Sequence, residues 1–301
     1  MQENNKENMF ESCYDSTLPL DLEETRKSNI LITGTNQQGK SLAAMSISDR
    51  LMRESWQILA FDNVGHWKNK SSIPTWFNVS ETTMKYILPQ QGSLIYDISN
   101  LLPVNQKEFV EWVLADLWKS RIQQKNNHYV LVLFEEFQLY ARNVRGNVSQ
   151  NILRIMSVGS NHGIRCLGIT PDMSLIDCAF IRLAQQRYHF KLGNEPNAKR
   201  RFRAYYGLDW CRIARHLDVG FSIYVNKEKQ RVHKIPLFQS NVKPKQYVQP
   251  EKPKPKGIIH RILTAINGSE EEEQPDIPSV YDDSEDFDTE LEEDLIIEEE
   301  W

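Results

Sequence analysis

A chain of 301 residues, 40% hydrophobic and 26% charged, has ample apolar content for a buried core in one large or two small domains. Its net charge of −5 hides a split: the stretch from Ser269 to Trp301 holds 17 acidic and no basic side chains, leaving 36 basic against 24 acidic in the other 268 residues. No apolar stretch approaches the ~18 residues needed to cross a bilayer, no basic start leads into an apolar signal, and the four cysteines show no metal-binding spacing; these features exclude a membrane-spanning chain and a disulfide scaffold, and predict a cytoplasmic protein with reduced thiols.

Residues 1–16 are polar and Asn/Glu-rich, the composition of a flexible leader, and a short edge strand is expected around Leu18–Leu22. Short apolar runs then alternate with helix-period segments, the pattern of an α/β fold with a mainly parallel sheet. Strands are predicted at Asn29–Thr33, Gln57–Phe61, Ser93–Asp97, Tyr129–Phe134, Ile164–Ile169 and Tyr188–Leu192. Helices are predicted at Ser41–Arg53, Val104–Arg121 and Asn147–His162, the second with Phe109, Val113 and Leu117 four apart on its inner face. Phe221–Val225 and Arg231–Leu237 read as a closing β-hairpin, which ends a domain expected over 17–239. A basic, proline-rich linker with a short helix follows over 240–268, and an acidic tail over 269–301 has too few apolar residues to fold alone.

The chemistry starts at Gly34-Thr35-Asn36-Gln37-Gln38-Gly39-Lys40-Ser41, which fits G-x-x-x-x-G-K-[ST] at every specified position. Glycines let the backbone curl so that successive N–H groups point inward as an anion nest, and the next helix adds its positive end. Lys40 is placed to reach the β- and γ-phosphates of ATP, and the Ser41 hydroxyl to bind Mg²⁺. Hydrolysis needs a carboxylate for the metal's water shell and a group that orients the attacking water. Glu135 and Glu136, at the end of the Tyr129–Phe134 strand, are assigned those two roles respectively.

Asp62-Asn63-Val64-Gly65 fits the D-x-x-G of GTPases, but the guanine-reading N-K-x-D is not matched, since Asn226-Lys227-Glu228-Lys229 ends in lysine. Asp62 is therefore read as the polar end of a strand near the nucleotide, with its role open. Lys199-Arg200-Arg201-Phe202-Arg203-Ala204-Tyr205-Tyr206 mixes cations with aromatics: either a surface that tracks a phosphate backbone with rings for stacking, or a helix with a basic face and core-facing rings.

The order of these pieces resembles the HerA–FtsK superfamily of RecA-like P-loop ATPases. The match runs from the P-loop through Ile58–Asp62, Ser93–Ser99 and Val132–Glu136 to Gly159–Thr170 and Ser174–Asp177. The resemblance implies an ATP-hydrolysing motor that moves DNA as a homo-oligomer, a hexameric ring, with Thr170 as a polar sensor beside the γ-phosphate. It includes helicases, conjugation motors and viral packaging ATPases; the compact length suits a packaging role. The alternative is an ATP-dependent switch that binds a partner without pumping DNA. Three positions depart from the family pattern: Glu135 stands for the usual Asp, Pro171 for the sensor Gln, and Ser160 for an Arg. Arg142, Arg145, Arg154, Arg165 and Arg182 are the substitutes for that arginine. The loop from Arg142 to Asn147 is a candidate DNA contact, and the acidic tail either competes with DNA, docks a partner or keeps the chain in solution.

Overall fold

A computed structural model describes residues 19–84, 92–123, 128–142, 149–227, 229–235 and 244–247. The expected leader, most of the expected linker with its short helix, the acidic tail and Arg145 lie outside the described residues.

One ten-stranded sheet forms the framework, in the order β10-β3-β4-β2-β5-β6-β1-β7-β8-β9. Its strands are β1 (Asn29–Thr33), β2 (Gln57–Asp62), β3 (Thr75–Asn78), β4 (Leu94–Asp97), β5 (Val130–Phe134), β6 (Ile164–Thr170), β7 (Ala184–His189), β8 (Phe221–Asn226), β9 (Lys229–Lys234) and β10 (Lys245–Gln246). The pairs from β10 to β7 are parallel, and β8 and β9 close the edge as an antiparallel hairpin. β6 lies between β1, which leads into the P-loop, and β5, which leads into the glutamate pair.

Both faces of this sheet are buried, which is why β5 is apolar at every position and β1 is buried at every position, with Ile30, Leu31 and Ile32 consecutive rather than alternating with polar residues. Along β1, Leu31 packs into one core cluster while Ile30 and Ile32 pack into the other. The first layer holds α4 (Pro103–Gln123), α5 (Gln150–Val158), α6 (Cys178–Leu183) and α7 (Pro196–Tyr206), which contribute Phe109, Val113, Leu117, Ile152 and Phe202. The second layer is built around α2 (Lys40–Arg53), which buries Ala43, Ala44, Ile47 and Leu51, and α3 (Trp67–Lys70), which buries Trp67. Among the described residues, no helix is long and apolar enough to cross a membrane.

Three expectations need correction. No strand forms over residues 19–22; instead Asp21 accepts from the Glu24 N–H and caps α1 (Leu22–Thr25). β7 starts at Ala184 rather than Tyr188, directly after a helix that ends at Leu183. The polar Gln186 tolerates a central strand because its amide is satisfied from α1 and β8: it bonds the Asp21 backbone, Thr25 and Tyr224. Within the described part of the helix expected over 147–162, Ser149 caps an α-helix that runs from Gln150 to Val158, followed by a 3₁₀ turn that ends on Gly163 at φ +70°. Elements that pattern alone did not reveal are α3, β3, β10 and α8 (Leu208–Arg215).

Candidate nucleotide site

The P-loop joins β1 to α2, and its curvature is written into the backbone. Gly34 has φ +139°, Gln37 +62° and Gly39 +101°, left-handed values that allow the loop to fold back over the start of α2. Gly34 is fixed by packing as well: a Cβ there would lie 2.5 Å from Cβ of Phe190. The Thr35 N–H donates to the Lys191 carbonyl at 2.9 Å, and the Gly220 N–H donates to the Gln38 carbonyl at 3.2 Å. The loop is therefore seated on the ends of β7 and β8.

Beneath it runs a buried polar chain. The Thr33 hydroxyl is 2.7 Å from Nδ1 of His189, and His189 Nε2 is 2.7 Å from the Tyr206 hydroxyl of α7. Arg187 also donates to that hydroxyl, at 3.0 Å. Burial, together with the Arg187 charge, pushes the His189 imidazole down to about 3, so it is neutral at pH 7.

Lys40 donates to the Thr35 carbonyl at 2.8 Å, and burial lowers its pKa while Glu136 and Glu135 oppose that shift. The Ser41 hydroxyl donates to Oε1 of Glu135 at 2.5 Å. The P-loop and the β5 glutamates, 94 residues apart in sequence, thus meet directly, and Lys40, Ser41, Glu135 and Glu136 line one cleft of about 490 Å³. Asn36, Gln37 and Gly39 line it too, while Gly34, Thr35 and Gln38 shape the loop behind them. The two adjacent glutamates reach the same cleft because β5 ends at Phe134 and Glu136 starts a 3₁₀ turn, with φ −122° and ψ 69°. Glu135 is 8% exposed, and burial raises its carboxyl pKa against the hydrogen bonds from Ser41 and Trp67. Glu136 accepts from the Gln138 side chain.

The far wall was not foreseen. His66, Lys70 and Val64 line the cleft opposite the P-loop, from the segment between β2 and β3. Asp62 organises that segment: Oδ1 accepts from the N–H groups of Val64 (3.1 Å) and Gly65 (2.8 Å), and Oδ2 from that of Trp67 (2.8 Å). Burial raises the Asp62 pKa, and these three donors oppose the shift. The only sequence signal for this wall was a carboxylate at a strand end.

Thr170 ends β6 next to Thr33, but its hydroxyl donates to the Asp172 carbonyl at 3.1 Å, and it is Ile169 and Pro171 that line the cleft. Of the arginines considered for a neighbouring site, Arg165 is buried and its guanidinium lies 5.9 Å from the Tyr129 ring, which removes it. Arg142, Arg154 and Arg182 are exposed. In α7, Phe202 and Tyr206 are buried in the core, so the helix presents Arg200 and Arg203 to solvent without those two rings.

No protein-family model matches the chain, and no curated protein matches its sequence. Solved structures do match its fold. The genome packaging NTPase B204 from Sulfolobus turreted icosahedral virus 2, in complex with sulfate, aligns at 15% identity and a TM-score of 0.55, over 70% of this chain and 98% of that one. The bacterial conjugative coupling protein TrwB aligns at 7% identity and a TM-score of 0.56, over 75% and 89%. VirB4 of Thermoanaerobacter pseudethanolicus aligns at 8% identity and a TM-score of 0.53, over 69% and 89%. These neighbours belong to the FtsK–HerA P-loop superfamily, and this chain has their RecA-like P-loop NTPase fold.

Proposed function

We propose that this protein is an ATP-hydrolysing motor that moves DNA, of HerA–FtsK type and suited to genome packaging. The observation that carries the reading is the meeting of Ser41 with Glu135 at the mouth of a fully formed P-loop, with Glu136 in the same cleft. Support comes also from the fold shared with a viral genome packaging NTPase that has been solved with ATP-gammaS.

In this reading the main-chain N–H groups of residues 36–41 hold the β- and γ-phosphates, while that of Thr35 stays on the Lys191 carbonyl. Lys40 exchanges the Thr35 carbonyl for a phosphate oxygen, a short move for a flexible ammonium group. A hydroxyl that donates to a carboxylate still offers its lone pairs to a cation, so the Ser41–Glu135 pair fits Mg²⁺, with Glu135 acting through a bound water. The metal supplies charge neutralisation on the phosphate oxygens. Glu136 orients the attacking water and accepts its proton, and an arginine from a neighbouring subunit of a hexameric ring offsets charge on the transferred group. Arg142, Arg154 and Arg182 remain eligible by exposure.

The second reading, a partner-binding switch, is favoured by one observation: the Thr170 hydroxyl is turned to the Asp172 carbonyl rather than into the cleft. ATPase rates measured with and without DNA separate the two. The motor reading expects double- or single-stranded DNA to raise the rate several-fold, and Glu136→Gln to cut hydrolysis at least a hundredfold while ATP binding is kept. A rate indifferent to every DNA tested selects the switch.

A further inference from the structure

Trp67 opens α3 and is fully buried, and its indole Nε1–H donates to Oε2 of Glu135. The other oxygen of the same carboxylate, Oε1, takes the Ser41 hydroxyl. Both oxygens are thus held by single, differently placed donors, which fixes the plane of the carboxylate as well as its position. Glu135 is also fastened through its backbone, whose N–H donates to the Phe61 carbonyl at 3.2 Å.

The ring is itself firmly held. The Trp67 N–H is bonded to Asp62 Oδ2, and Asp62 ends β2, the strand paired with β5 along five residues. The next residue, Lys68, pairs with the buried Asp97 at the end of β4 at 2.7 Å, and Asp97 takes the Ser99 hydroxyl at 2.6 Å. Gly65, at φ +79°, lets the chain turn close over Ser99: a Cβ there would meet the Ser99 Oγ at 3.1 Å. Three parallel strand ends, β4, β2 and β5, are therefore tied through one short segment to a single carboxylate.

We propose that Trp67 is a positioning residue for the metal half of the nucleotide site, its indole N–H holding Glu135 in the orientation that serves the water shell of Mg²⁺. The inference rests on the nucleotide reading above. A buried carboxylate oxygen without a donor is costly, so Glu135 loses its fixed orientation when the N–H is removed, even if the space is kept filled. Groups that orient a metal ligand typically govern metal affinity or activity by 10–100-fold.

The test is calorimetric titration of the full chain with ATPγS, in EDTA and in Mg²⁺, for the parent, for Trp67→Phe, and for a protein carrying benzothienylalanine at position 67. The last keeps the bicyclic shape and replaces only the N–H by sulfur, so it reports on the hydrogen bond even if the phenylalanine variant folds poorly. Metal-free affinity should stay within about twofold of the parent. The gain in affinity on adding Mg²⁺ should shrink about tenfold or more, and kcat should fall by a similar factor while KM changes less. A full Mg²⁺ gain and parental kcat in the benzothienylalanine protein overturn the proposal. A parent that binds no nucleotide in either buffer instead overturns the nucleotide reading beneath it.

Discussion

The two walls of the cleft are built on different principles. The P-loop wall is made by consecutive residues, 34–41, and depends on backbone conformation: three residues with positive φ in Gly34–Gly39, and main-chain bonds to Lys191 and Gly220. The Asp62–Lys70 wall depends on side chains that meet only after the sheet has formed, with Asp62, Trp67, Asp97 and Glu135 coming from the ends of three strands and a four-residue helix. A wall of the first kind is specified locally and can be read from a string of letters. One of the second kind is specified by strand order, which no single segment encodes.

The sharpest way to break the first wall is Gly34→Ala. The added methyl group would sit 2.5 Å from Cβ of Phe190, at a backbone angle that side chains disfavour. The relief available is movement of the loop or of β7, so stability should fall by about 2–4 kcal/mol. ATPγS affinity should drop at least a hundredfold in titration, and parental affinity would show that the loop is not seated on β7 as described. Trp67→Phe sits below this in size, because it removes one bond from the second wall and leaves the phosphate cradle intact.

A break that leaves the site's chemistry untouched lies under the first wall. His189 is held near 3, below the 6.5 of an exposed imidazole, so as pH falls the unfolded chain takes up the proton before the folded one. Its contribution is therefore present above about pH 6.5 and is lost progressively down to about 3, by up to roughly 1.4 kcal/mol per pH unit. Between pH 7 and 5 the parent should lose about 2 kcal/mol more than His189→Gln in urea denaturation, with nucleotide binding at pH 7 little changed. Equal losses in the two proteins would remove His189 as the acid-labile footing of the loop.

What the sequence disclosed follows the same division. β1, β2, β5 and β6 were legible because both faces of those strands are apolar, and α4 because Phe109, Val113 and Leu117 share one face. Glu135 and Glu136 were legible as charges ending an apolar strand. β7 was misplaced because Gln185, Gln186 and Arg187 read as polar surface, whereas Gln186 is buried among partners from α1 and β8. β3 and β10 are short, with partly exposed positions, and leave no periodicity to detect. Thr170 was placed at the right strand end, but side-chain direction is not a property of the strand: the chain turns at Pro171, and the hydroxyl follows the Asp172 carbonyl. Trp67 carried no signal at all, since its partner lies 68 residues away.

The central claim is that the loop from Gly34 to Ser41 grips the terminal phosphates of a nucleotide, and Lys40 tests it most directly. Calorimetric titration of Mg·ATPγS into the parent and into Lys40→Ala should give binding in the first and at least a hundredfold weaker binding in the second. Equal affinity in the two proteins, or no binding by the parent, would contradict the account.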